Sequence, residues 1–296
     1  MHVRRLATVL PLSLMLALGC AATALAATPV TAAATLPPNP VDPGVAGSYS
    51  TITGEYQLPD VTLPGFAQPV EMKAIVVAPQ GVSTSRPLVL FLHGRYDPCY
   101  NSTSTSWTWP CPAGYSPLPS YQGFQQYQQL LASQGFVTVS ISADGINAQD
   151  GQGLPPSDGG ALARSSLIRM HLQNWSKWAG SGRSAAPAIV QAAPPADMSG
   201  VLLVGHSRGG DGVARAAMDS LTPPPAAQDG YHGTVGWQIK GLALIGTTSF
   251  GENPPPDVPS LSILPGCDGD QVDLPGIQFL DASHKISRGY TLHAAI

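Results

Sequence analysis

The 296-residue chain carries 14 Lys and Arg against 18 Asp and Glu, a net charge of −4, and only 11% of it is charged. That balance provides no basic field to release counterions from nucleic acid, and so argues against nucleic acid as a partner. A hydrophobic content of 43% suffices for one full core, while 30 Pro and 32 Gly point to long ordered loops rather than a helical bundle.

Residues 1–26 place Arg4 and Arg5 ahead of a short apolar run that ends in Ala24-Leu25-Ala26, and read as a removed secretory signal. The run is broken by Pro11, and no other stretch approaches the ~20 apolar residues of a span, so no integral membrane segment is expected. Residues 27–47, rich in Ala, Thr and Pro, read as a flexible lead-in, and 48–296 as one domain. Secretion, extracellular or periplasmic, implies an oxidising compartment in which Cys99 and Cys111 can pair across a short loop. Cys267 is then left over, either as a free thiol or with a partner outside this sequence.

Apolar runs bounded by Gly and Pro predict strands at 70–79, 87–94, 136–142, 201–207, 239–246 and 260–266. Several are almost continuously hydrophobic, as strands covered on both faces should be. Between them the spacing predicts a helix over 161–179, with Leu167, Ile168, Leu172, Trp175 and Trp178 on one face, and further helices at 122–133 and 209–220. His171 shares that face and reads as a partly buried packing residue. Strands alternating with helices call for a mostly parallel central sheet with helices on both faces, and for ligands bound beyond the carboxyl ends of the strands.

One such end reads Gly205-His206-Ser207-Arg208-Gly209, the G-x-S-x-G pattern. A serine at so tight a strand-to-helix turn leaves no room for side chains two positions to either side, which is why both are glycine. An apolar strand precedes it, and Gly210 and the helix-forming "VARAAM" follow, so Ser207 reads as a nucleophile. The amino end of that helix sets N–H groups and positive dipole where an oxyanion would develop. His206 reads as a packing residue directed away from Ser207.

"FLHGR" at 91–95, "GHSRGG" at the elbow and "CDGDQVDLPG" from Cys267 together resemble the α/β-hydrolase superfamily. Within it they are similar to the secreted bacterial serine esterases and lipases near the chlorophyllase, dienelactone hydrolase and PAF-acetylhydrolase branches, over about residues 50–296. The resemblance implies an α/β-hydrolase fold, and small-molecule, lipid or polymer carboxylic esters as substrates, with no metal or organic cofactor. It implies oxyanion donors at the Arg208 and Arg95 amides, with Gly94 allowing close approach. The triad acid is then Asp268, which matches the family's Asp-Gly, or Asp270, which sits nearer the usual distance from the strand. The Cys99–Cys111 loop would set Trp107 and Trp109 beside the hole as an apolar wall. In the family the catalytic histidine follows one more strand. "GYTLHAAI" (289–296) reads as the start of that strand, so the base is expected beyond Ile296, with His284 before the strand and His293 inside it as poorer choices. A non-catalytic binding module, and an amidase or protease using the same triad, are the competing readings.

Overall fold

The unbroken apolar runs assemble side by side in a computed structural model that describes residues 42–151, 156–252, 256–286 and 292–296. Residues 1–41, which include the segment read as a secretory signal and most of the expected lead-in, lie outside the described residues. Residues 43–47 are fixed to the body. The Gly47 N–H donates to Ser133 Oγ at 2.9 Å, and Gln134 Nε2 donates to the Pro43 and Val45 carbonyls. The compact unit therefore begins at Pro43 rather than at residue 48.

In chain order the strands are β1 (Thr51–Val61), β2 (Val70–Pro79), β3 (Arg86–Leu92), β4 (Cys99–Tyr100), β5 (Thr105–Ser106), β6 (Ser116–Pro117), β7 (Val137–Ile141), β8 (Ala196–His206), β9 (Ile239–Ile245), β10 (Ser260–Ile263) and β11 (His293–Ala295). The helices are α1 (Gln125–Ser133), α2 (Asp144–Gln149), α3 (Ala161–Ala179), α4 (Ala188–Ala192), α5 (Arg208–Leu221), α6 (Ala226–Asp229) and α7 (Ile277–Ile286). The central sheet runs β1-β2-β7-β3-β8-β9-β10-β11; from β7 to β11 all neighbours are parallel, and β2 pairs antiparallel with both β1 and β7. β4, β5 and β6 form a small separate sheet in the loop after β3. The fold is thus of the α/β class, with a mostly parallel central sheet.

β2, β3 and β7 are buried along nearly their whole length, which is why their sequences read as continuous apolar runs. In β8 the residues alternate. Val201 and Leu203 are buried, while Leu202 and Val204 line an apolar groove of about 420 Å³ together with Leu131 of α1 and Leu261 of β10. α3 and α5 pack on the sheet beside β8, and α1 packs over β2 and β7. Among the described residues no helix is long and apolar enough to cross a membrane.

All six predicted strands are present. The one expected at 260–266 stops at Ile263, ahead of Pro265 and Gly266, whereas β8 starts earlier than Val201. β1 and α7 are additions. β1 carries the period-2 signal in Ile52, Tyr56 and Leu58, diluted by Gly54 and Pro59. α3 has the predicted bounds but is buried more widely than one face requires. Arg164 and Arg169 are both fully buried; Arg169 pairs with Asp229 and, at 3.9 Å, with Asp219. His171 is wholly rather than partly buried and shares a 2.8 Å hydrogen bond with Tyr56 Oη; burial lowers its pKa to about 3, so it stays neutral.

α2 is anchored by Glu71 of β2. One Glu71 oxygen accepts from the Asp144 N–H at 2.6 Å and from Ser142 Oγ at 2.7 Å, and the other accepts from the Gly145 N–H at 2.9 Å. Burial, followed by the neighbouring Glu71 charge, raises the Asp144 carboxyl far above its usual range, to about 9. With three donors aimed at Glu71, Asp144 is the partner that keeps its proton. A carboxyl whose pKa is raised on folding contributes stability fully present below its unfolded value and progressively lost as pH rises through its folded value. Asp144→Asn, which removes the ionisation, should therefore stabilise the protein increasingly between pH 5 and pH 9, by about 1–2 kcal/mol or roughly 2–6 °C at pH 8. A melting-temperature difference independent of pH across that window would contradict this.

Candidate active site

Ser207 follows β8 and caps α5 with φ 52° and ψ −126°, a left-handed conformation that costs of order 1–3 kcal/mol for a residue bearing a Cβ. The turn is held on both sides. The Ser207 N–H donates to the Ile245 carbonyl at 2.9 Å, and the Gly210 N–H donates to the Ser207 carbonyl at 2.9 Å. A Cβ on Gly205 would stand 2.3 Å from the Gly209 carbonyl oxygen, and one on Gly209 would stand 2.4 Å from that of Leu92. The two glycines of the motif are thus sterically required, as the sequence reading expects. Gly94 meets the serine from β3's side, where a Cβ would stand 2.8 Å from Ser207 Cβ.

Arg208 is the first residue of α5, so its amide has no acceptor within the helix. The Arg95 amide lies next to Gly94, in the loop after β3. Among the described residues no backbone carbonyl accepts from either amide outside regular elements. Both candidate oxyanion donors thus flank Ser207 with their N–H groups uncommitted to a carbonyl. His93, just before Gly94, has both ring nitrogens engaged: Nδ1 with the Gly94 carbonyl at 2.8 Å, and Nε2 with the Ala143 N–H at 3.0 Å. Burial lowers its pKa to about 4, so the neutral ring braces the loop and has no nitrogen free to act as a base.

A cavity of about 460 Å³ opens here, lined by His93, Tyr96, Leu118, Pro119, Phe124 and His206, among others. The sequence reading assigned the apolar wall to Trp107 and Trp109, and the structure corrects it. The Cys99–Cys111 bond is formed, with Cα atoms 5.5 Å apart, but neither indole lines this cavity. Trp107 stacks on the Arg95 guanidinium at 3.9 Å, and Trp109 donates from Nε1 to the Pro69 carbonyl at 2.9 Å. His206 packs against Tyr96, with ring centroids 6.2 Å apart and Nδ1 3.2 Å from Tyr96 Oη, and lines the same cavity. Its pKa is lowered by burial, against the opposing fields of Asp268 and Asp270.

Asp268 lies beside the end of β9, where its Oδ2 would meet a Cβ on Gly246 at 3.2 Å. Its Oδ1 accepts from the Asp270 and Gln271 amides at 2.9 Å each, and these bonds lower its pKa. Asp270 accepts instead from Gln271 Nε2, within its own loop. Of the two acid candidates, Asp268 is the one held at the carboxyl edge of the sheet.

The remaining described histidines lie elsewhere. His293 pairs in register with Ser260 at the amino end of β10, where its Nδ1 meets Ser260 Oγ at 2.7 Å. His284 sits near the carboxyl end of α7, the helix that leads back to β11. β11 itself runs parallel to β10, so Ile296 emerges at the carboxyl edge, where its carbonyl accepts from the Leu264 N–H at 2.7 Å. Cys267 is exposed and free. Among the described residues no cluster of three His, Cys, Asp or Glu groups as metal ligands. No protein-family model and no curated protein matches the chain.

Gly205→Ala should cost more than about 3 kcal/mol or prevent soluble expression, because its methyl meets backbone that cannot rotate away. Ser207→Gly should instead gain about 1 kcal/mol by releasing the left-handed strain. Chemical denaturation of the two variants checks both; a wild-type midpoint for Gly205→Ala would show that the turn is looser than described.

Proposed function

We propose that the protein is a secreted serine hydrolase that cleaves carboxylic esters through an acyl-enzyme on Ser207. The observation that carries this reading is the strained Ser207 backbone at the carboxyl edge, flanked by two amides free of carbonyl partners, next to His206, which lines an apolar cavity. The α/β-hydrolase fold is the specific form of the α/β class that this elbow supports. The Cys99–Cys111 bond favours an oxidising compartment and so supports export.

In this mechanism Ser207 Oγ attacks the ester carbonyl carbon and its proton passes to an imidazole base. The Arg208 and Arg95 amides receive the oxyanion. When the tetrahedral intermediate collapses, the carbon–oxygen bond to the alcohol breaks and the base returns its proton to the departing alkoxide. Water then attacks the acyl-enzyme, the base takes its proton, and Ser207 leaves as the hydroxyl with a carboxylic acid as product. Asp268 orients the imidazole and stabilises it when charged. No described histidine is assigned as that base: both ring nitrogens of His93 are engaged, His293 pairs with Ser260 at the amino end of β10, and His284 lies near the carboxyl end of α7.

The protein should be assayed on a short-chain p-nitrophenyl ester and with a fluorophosphonate probe. It should hydrolyse and label, and Ser207→Ala should do neither while keeping its melting temperature. His206→Ala and His284→Ala identify the base: the variant that loses activity to roughly the level of an oxyanion hole alone, about 10³-fold over water, carries it. A wild-type protein that neither hydrolyses nor labels would favour a binding module.

Asp268→Asn should lower kcat by roughly 10³- to 10⁴-fold, whereas Asp270→Asn should change it less than about threefold. The reverse order would transfer the acid role to Asp270.

A further inference from the structure

We infer that Asp150 is a positioning residue of this site: its carboxylate ties the Arg95 and Arg208 side chains together and thereby fixes the spacing of the two backbone amides that receive the oxyanion. This rests on Ser207 being the nucleophile of the reaction proposed above.

Asp150 follows α2 directly and is only 4% exposed. Arg95 Nε donates to both of its oxygens, at 3.3 and 3.2 Å. Arg208 Nη1 donates to Oδ2, and Arg164 Nη2 reaches the same oxygen at 3.5 Å. One carboxylate therefore collects three guanidinium groups, two of which belong to the residues whose amides flank Ser207. The Arg95 and Arg208 side chains are partly exposed, and an exposed ion pair alone contributes about 0–1 kcal/mol. Here the shared acceptor is buried, and aromatic rings back both cations. Trp107 lies 3.9 Å from the Arg95 guanidinium, and Phe250 lies 5.1 Å from that of Arg208. Each cation is thus held in one place rather than sampling solvent.

The same helix grips the loop a second time. Asn147 Nδ2 donates to the Gly94 carbonyl at 3.2 Å, while Asn147 Oδ1 accepts from the fully buried Arg164 at 2.6 Å. The peptide between Gly94 and Arg95 is therefore fixed by its carbonyl on one side and by the Arg95 side chain on the other, both from α2 and the residue after it. Among the described residues, the Arg208 side chain is joined to this frame through Asp150. Without that charge the cations repel one another, and the Arg208 end of the pair loses its tie to the Arg95 end. The amide donors act mainly on the oxyanion rather than on the ground-state carbonyl, so a loss of their spacing appears in kcat more than in KM.

The test is steady-state kinetics of the protein on a p-nitrophenyl ester. Asp150→Asn should lower kcat by about 10- to 100-fold with KM within about threefold, because a misplacement of ~1 Å is enough for losses of that size. Asp150→Asn leaves the buried Arg164 without its counterion and so threatens folding. Arg95→Gln removes one tie at a partly exposed position, and should lower kcat about tenfold; Arg95→Lys, which keeps a cation for Asp150, should recover most of that loss. Asp219→Asn disrupts the other buried arginine cluster on α3 and should lower the melting temperature while leaving kcat in place. A wild-type protein that hydrolyses the ester while Asp150→Asn and Arg95→Gln keep kcat, or lose it no more than Asp219→Asn does, would overturn the positioning role and leave the hydrolase reading intact. A wild-type protein that neither hydrolyses the ester nor reacts with a fluorophosphonate would remove the hydrolase reading, and the role of Asp150 with it.

Discussion

The structure turns on a backbone that must reverse direction within one residue. Strand β8 delivers Ser207 at φ 52°, and α5 begins at the next residue. No L-residue prefers this conformation, so the surrounding chain has to impose it. It does so with backbone atoms: carbonyls of Leu92 and His93 stand where a side chain on Gly209 would go, and the Gly209 carbonyl stands where one on Gly205 would go. Close approach of three segments, β3, β8 and α5, is thus both the cause of the strain and the reason it persists. The consequence is a turn at the carboxyl edge that sets Ser207 beside two amides and next to His206, which lines the cavity.

Charge placement follows from the same crowding. The loop after β3 cannot be fixed by apolar packing alone where it passes so near Ser207, and polar contacts from α2 hold it instead. Glu71 holds the start of that helix, Ala143 braces His93, Asn147 holds the Gly94 carbonyl, and Asp150 ends the series with three arginines. Burial of these polar groups is tolerated because Glu71, His93, Asn147 and Asp150 each hold partners, although Asp144 Oδ1 and Arg164 Nε have none among the described residues; a lost partner would cost about 1–3 kcal/mol, more if charged. Burial of Arg164 lowers its pKa to about 10, still high enough to keep it a cation at neutral pH. A polar frame of this kind gives up some of the stability an apolar one would have and gains defined positions for the loop.

Much of the sheet was legible because parallel strands buried on both faces leave uninterrupted apolar runs, and β2, β3 and β7 read that way at once. Ser207 and Gly205 were legible because the constraint on them is local, acting within five residues, whereas Gly209 is required by the carbonyls of Leu92 and His93 and was legible only as part of the motif. β1 was missed although it alternates, since Gly54 and Pro59 interrupt the pattern. The roles of Trp107 and Trp109 were misjudged for a different reason. Which cavity a ring lines depends on where a loop returns after many residues, and Leu118, Pro119 and Phe124 took the place expected of the indoles.

By itself the sequence determined the α/β class, the elbow with its required glycines, the pairing of Cys99 with Cys111 and the long buried helix over 161–179. These rest on spacing along the chain: periodicity, adjacency and short loop closure all act over a few residues to a few turns. Only the tertiary structure decided that Asp268, rather than Asp270, is held at the end of β9, that His93 is a brace with no free nitrogen, and that Asp150 gathers Arg95, Arg164 and Arg208. Those residues are 55, 14 and 58 positions away from Asp150, and no pattern in the chain relates them. Their meeting is set by how α2 and α3 cross the sheet, and electrostatics acts on the distances that result.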